Sequence, residues 1–258
     1  MNTLKKLLLL ALLLATGHAL AQDGKSLVEA ISEGADASQV AALIGKGANI
    51  EGADREGHTA LMTAVLKNNT EVAKLLLQKG AKANVSSSDN LTALIVAIIN
   101  GSPEIARLLL DNGADVNAKR PDGMTPLAFA CVTLVPEIAS KHPSSVTDAT
   151  RTEVVKLLLD KGADTNVSSQ DGSTLLMHTT SAPPELTGLL LEHGAKINAQ
   201  GPGNMTVLML AAARGKTELV RVLLKHGADR SLKSGEGKTA LDYAKDNKHQ
   251  DIVALLKS

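Results

Sequence analysis

Apolar residues along this chain come in short bursts that return at a fixed interval, each closed by a polar pair and a glycine. The string LLLQKGAKANV, from Leu75 to Val85, reappears as LLLDNGADVNA, LLLDKGADTNV, LLLEHGAKINA and VLLKHGADRSL. Its glycine recurs at Gly80, Gly113, Gly162, Gly194 and Gly227. A second landmark is a threonine two residues before an apolar one, at Thr59, Thr92, Thr125, Thr174, Thr206 and Thr239. The steps Thr59 to Thr92, Thr92 to Thr125 and Thr206 to Thr239 are each 33 residues. Self-similarity at such a period marks units that cannot bury their apolar face alone and must stack.

Each landmark has a local physical role, and together they predict a turn followed by two helices per unit. The Thr opens the first helix: its hydroxyl caps free backbone N–H groups, and Pro126 after Thr125 suits a first turn that needs no N–H partner. Small residues at Ala64, Ala97, Ala130, Ala211 and Ala244 let that helix pack closely. Glu71, Glu104, Glu153, Glu185 and Glu218 start the second helix, where negative charge favours the positive helix end. The Leu run buries that helix, and the glycine ends it in a left-handed conformation.

By these residues the chain resembles the ankyrin-repeat family over essentially all of residues 22–258. The resemblance implies an all-α ankyrin-repeat solenoid of about seven helix-turn-helix units with β-turn tips. The expected boundaries are a cap at 23–53, repeats at 54–86, 87–119, 120–168, 169–200 and 201–233, and a cap at 234–258 whose polar residues thin its apolar pattern. Where many family members carry His three residues after the Thr, this chain has Met62, Ile95, Ala128, Met177, Met209 and Asp242. The hydrogen bonds of that His are expected to be absent, with looser coupling between the turns and the helices.

The resemblance also implies that the concave face, made of turn tips and the exposed ends of first helices, binds protein. On the tips stand Leu91, Met124 and Met205 with Asp89 and Asp122 at their rim, and on the helix ends Leu66, Ile99 and Val132. Clustered exposed apolar residues mark interaction sites, and Met adapts to irregular surfaces. Coverage by neighbouring repeats is the competing explanation for Leu66, Ile99 and Val132.

Residues 1–21 read as a cleavable signal peptide. Lys5 and Lys6 precede an apolar run from Leu7 to Ala15, too short for a lasting membrane span, and Ala19-Leu20-Ala21 fits signal peptidase. The mature chain is expected to begin at Gln22 in the periplasm, with secretion as the alternative. One cysteine in the chain, Cys131, excludes an intramolecular disulfide framework. Two glycosylation sequons, at Asn90 and Asn204, place their Thr92 and Thr206 where the repeat needs a packed hydroxyl, which also favours a bacterial periplasm. With 27 basic and 27 acidic residues, no global field draws the chain to nucleic acid. Phe129 and Tyr243 are its only aromatics, too few for a base-stacking platform.

From Thr125 to Glu153 is 28 residues where most units have 12, which puts an insertion at 134–150. It is either a tolerated surface loop or a partner-contacting arm. No HExxH, Cys/His zinc spacing, Gly-x-Ser-x-Gly or Walker glycine loop occurs. His193 and His226 precede helix-ending glycines, where a cation suits the helix C-terminus, and Cys131 reads as a core filler. No enzyme, cofactor or metal is expected. The resemblance to exported bacterial ankyrin proteins implies a monomer that binds another protein, an exported enzyme, as inhibitor or immunity factor. Alternatives are an envelope scaffold, support of catalase-linked peroxide defence, and a host-directed effector.

Overall fold

In a computed structural model the chain is described over residues 26–132 and 147–257. The export segment 1–21 and most of the insertion lie outside these residues. The described residues are helical, with two isolated β-bridges, Ala53 to Thr59 and Ser168 to Thr174, at turn tips. Contacts divide the chain into two compact units, Met1–Asp89 and Asn90–Ser258.

The first unit holds α1 (Leu27–Ser32), α2 (Ala37–Gly45), α3 (Ala60–Leu66) and α4 (Thr70–Gln78). Ser26 and Asp36 cap α1 and α2, each in a reciprocal capping box with Glu29 and Gln39. Helix α1 packs on α3 and α2 on α4. Only Val40 of α2 is buried, as expected of a terminal unit with a neighbour on one side.

The second unit alternates first and second helices: α5 (Ala93–Ile99) and α6 (Pro103–Asp111), then α7 (Pro126–Cys131) and α8 (Asp148–Asp160). There follow α9 (Leu175–His178), prolonged by a 3₁₀ turn at Thr179–Ser181, and α10 (Pro184–Glu192). A 3₁₀ turn at Pro202–Asn204 leads to α11 (Val207–Ala213) and α12 (Thr217–Lys225), and α13 (Ala240–Asp246) and α14 (Gln250–Lys257) close the chain. First helices pack on first helices (α5 on α7, α7 on α9, α9 on α11, α11 on α13), and second on second. The small positions Ala97, Ala130, Ala211 and Ala244 are all buried in the first-helix layer.

Local signals hold at most positions. The hydroxyls of Thr59, Thr92, Thr125, Thr206 and Thr239 accept the N–H three residues on at 3.3–3.4 Å. The five glycines after the Leu runs have φ between 82° and 90°, which a Cβ-bearing residue adopts only with strain. Three expectations need correction. Thr174 makes no side-chain cap, and its carbonyl instead takes the tighter bond from the Met177 N–H. The Glu residues do not start the second helices: Thr70, Pro103, Pro184 and Thr217 do, one residue earlier. Glu153 lies deeper still, because α8 begins at Asp148, capped by Thr147, and so takes up the last residues assigned to the insertion.

The 169–200 repeat is also one residue short. Thr174 to Glu185 spans 11 residues, where Thr59 to Glu71 and Thr206 to Glu218 span 12. The missing residue is the left-handed one that Asn68, Gly101 and Gly215 supply between helices elsewhere. Here the helix tightens to 3₁₀, Ala182 is extended, and Pro183-Pro184 leads straight into α10.

Candidate functional site

Five of the described tips are five-residue turns closed by a backbone bond from the first N–H to the last carbonyl, Asp54 to His58 at 3.1 Å in the first unit among them. In the second unit these are Arg120 to Met124 at 3.0 Å, Ser169 to Ser173 at 3.0 Å, Gly201 to Met205 at 2.9 Å and Ser234 to Lys238 at 2.9 Å. Neighbouring tips are bonded directly, with the Gln170 N–H donating to the Asp122 carbonyl and the Gly235 N–H to that of Gly203. This close approach is why Gly123 has no side chain: at φ +85° a Cβ would sit 3.0 Å from the Ser168 oxygen.

The coupling of turns to helices differs from expectation. Three side chains four residues after the Thr reach back nine residues to the first residue of their own tip. Arg120 lies over the Phe129 ring at 5.4 Å, His178 Nε2 meets the Ser169 hydroxyl at 3.2 Å, and the Tyr243 hydroxyl donates to Ser234 at 3.0 Å. The bonds lost with the family His are thus replaced by ties from the adjacent position. Asp242 adds a capping box with Thr239. Both aromatic residues of the chain serve in these ties, a pairing that nine-residue spacing did not suggest before the turn was closed.

At the 169–173 tip, Asp171 accepts the Ser169 hydroxyl at 2.6 Å, the Ser173 N–H at 3.0 Å and the Ser173 hydroxyl at 2.9 Å. Since Ser169 spends its proton on Asp171, it accepts from His178, which places the imidazole proton on Nε2. The Ser169 hydroxyl first, then the Ser173 donors, hold the Asp171 carboxyl at about 2 against an ordinary 3.8. Burial pushes the His178 pKa down, and the Asp171 charge opposes it only in part. Carbon-13 NMR of the Asp171 carboxyl should therefore give a midpoint near 2, moving up toward 3.8 in Ser169→Ala. Asp171 stabilises the fold at and above the ordinary carboxylate pKa, and that contribution is lost as pH falls through about 2.

Leu91, Met124 and Met205 occupy one equivalent position, the residue just before the capping Thr, and all three are half-buried. Asp122 is half-buried and engaged within its own turn, paired with Arg120 at 3.1 Å and accepting the Met124 N–H at 3.0 Å. Val132 is half-buried, whereas Ile99 is 4% exposed. Ile99 is therefore withdrawn from the candidate surface: as the last residue of α5 it is covered, the outcome that coverage by neighbouring residues had offered for it. In the first unit Asp89 is exposed and Leu66 half-buried.

Titratable groups elsewhere are structural in their contacts. Cys131 is fully buried, and desolvation, opposed weakly by the Arg151 charge, pushes its thiol up to about 12. Such a thiol is no nucleophile at neutral pH. His193 Nδ1 lies 2.8 Å from the Leu189 carbonyl and His226 Nδ1 2.8 Å from that of Val222, one helical turn back. Sequence patterns missed one cluster: Asp54, Glu56 and His58 hold one donor atom each within 4.8 Å on an exposed turn of the first unit. There Asp54 Oδ1 accepts the N–H groups of Glu56 and His58 and its other oxygen meets the His58 ring at 3.3 Å, so the turn's own bonds account for the grouping.

A family model described as ankyrin repeats (3 copies) matches residues 18–120, 82–140, 145–234 and 181–258. The chain belongs to the ankyrin-repeat family. The crystal structure of the ankyrin repeat domain of Bcl-3, a member of the IkappaB protein family, superposes with a TM-score of 0.74 at 28% identity, over 90% of this chain and 99% of that one. Among curated relatives, the Notch-regulated ankyrin repeat-containing protein A of Danio rerio is 43% identical over 60 residues, which is 23% of this chain and 54% of that protein. Alpha-latrotoxin-Lg1a of Latrodectus geometricus is 39% identical over 62 residues, 24% of this chain and 4% of the toxin. The chain thus spans from a few hundredths to about half the length of these relatives, and what is shared is the ankyrin repeat itself. The ankyrin-repeat fold is typically a non-catalytic binding scaffold. No helix among the described residues is long and apolar enough to cross a membrane.

Proposed function

We propose that this ankyrin-repeat protein is an exported, non-catalytic module that binds a partner enzyme in the periplasm and restrains or protects it. The observation that carries the binding surface is the row of Leu91, Met124 and Met205. On a scaffold whose tips are free to vary and polar, three equivalent tip positions of the second unit hold large apolar side chains with part of their surface still open to solvent. The N-terminal pattern of Lys5, Lys6, the Leu7–Ala15 run and Ala19-Leu20-Ala21 supports export. The buried, protonated thiol of Cys131 supports a role without nucleophilic chemistry.

The test has two parts. Cell fractionation should recover the mature protein in the periplasm with Gln22 at its N-terminus. Cross-linking there should capture an enzyme whose turnover changes when stoichiometric purified protein is added. An intact Met1 form confined to the cytosol would remove the export reading. A captured enzyme indifferent to the protein would remove the inhibitory or protective one.

A further inference from the structure

The shortened repeat borders a groove that joins apolar and charged side chains. Next to its 3₁₀ end lies a groove of about 420 Å³, lined by apolar Met177, Met205 and Leu210 and by Asp171, His178 and Arg214. The two charged walls differ in what they have left to offer. Asp171 already accepts three donors within its own turn, and His178 is bonded to Ser169. Arg214, the residue just after α11, donates through Nη1 to the Thr180 hydroxyl and is in no ion pair among the described residues. Thr180 is held in place by its own bond to the Met177 carbonyl at 2.9 Å, so the guanidinium is positioned by a neutral partner that leaves its charge uncompensated.

A guanidinium so placed presents a planar fork of donors that fits a carboxylate in bidentate fashion, and Met side chains mould to whatever apolar group lies beside it. We propose that this groove takes an acidic side chain of the bound partner, Asp or Glu, with an adjoining apolar residue. The carboxylate pairs with Arg214 and the apolar residue rests on Met177, Met205 and Leu210. This assignment rests on the protein-binding function and adds to it the chemistry of one contact.

The experiment uses the mature chain with carbon-13 methyl-labelled Met, followed by NMR during titration with the peptide Ac-Leu-Glu-Leu-NH₂. The Met177 and Met205 methyls should shift saturably. Affinity should be about tenfold weaker for the Gln and Lys analogues and for Arg214→Ala, the loss of a charge-assisted pair. Arg214→Glu should reverse the preference toward the Lys peptide, a gain that a merely misfolded variant does not show. Equal affinity for the Glu and Gln peptides, unchanged affinity in Arg214→Ala, or equal competition by sodium acetate alone would overturn the proposal. If a captured partner depends on Leu91 and Met124 but ignores Arg214→Ala, the binding function stands and this contact falls.

Discussion

Leu109→Ala is expected to destabilise the second unit by about 2–5 kcal/mol, the cost of a cavity in a core that relaxes only partly. Leu109 is 0% exposed in the last turn of α6, which packs against α5 and α8, and its neighbours Leu108 and Leu110 are only half-buried. Urea unfolding of Leu109→Ala and Leu108→Ala should therefore separate the two, with the smaller loss at Leu108. In a repeat array stability is close to a sum of unit and nearest-neighbour terms, so the defect should act locally. Hydrogen exchange should show protection lost most in α5 to α8 and least in α13 and α14. A uniform loss across all helices would contradict nearest-neighbour coupling in this unit.

Changing Leu91, Met124 and Met205 together to Ser is expected to abolish most partner binding while the protein stays folded. Interfaces draw most of their energy from a few central contacts, so truncating one true anchor costs at least about 1 kcal/mol and a triple change several times that, not additively. The side chains are half-buried, so apolar burial within the turns is also lost; at about 1.5–3 kcal/mol for fully burying one such side chain, the set costs on the order of several kcal/mol of stability. Circular dichroism and melting should confirm the fold, and titration calorimetry against the captured enzyme should read the binding loss. Ile99→Ala is the contrasting control: because Ile99 is buried, it should cost stability and leave intrinsic affinity unchanged. Undiminished affinity of the triple variant would move the binding surface away from these tips, with the segment 134–147 the next candidate.

What the sequence by itself determined were the features carried by near neighbours along the chain. The repeat period, the Thr caps, the left-handed glycines and the burial of the alanine and Leu positions all depend on bonds or periodicities within a few residues, and residue type is enough to specify them. The likeness of the tips was equally legible, which is why Leu91, Met124 and Met205 stood out. Only the tertiary structure decided which of the apolar candidates keep open surface. Ile99 and Val132 both stand seven residues after a capping Thr, yet Ile99 ends α5 and is covered, whereas Val132 lies one residue past α7 in an extended conformation and is half-buried. It also decided that His178, Phe129 and Tyr243 tie helices back to their turns, since residues nine apart meet only when the turn doubles the chain back. The groove at Arg214 likewise joins residues far apart in sequence, from Asp171 to Arg214. Residue type alone does not bring these side chains together; packing of the Thr179–Ser181 turn and α11 does.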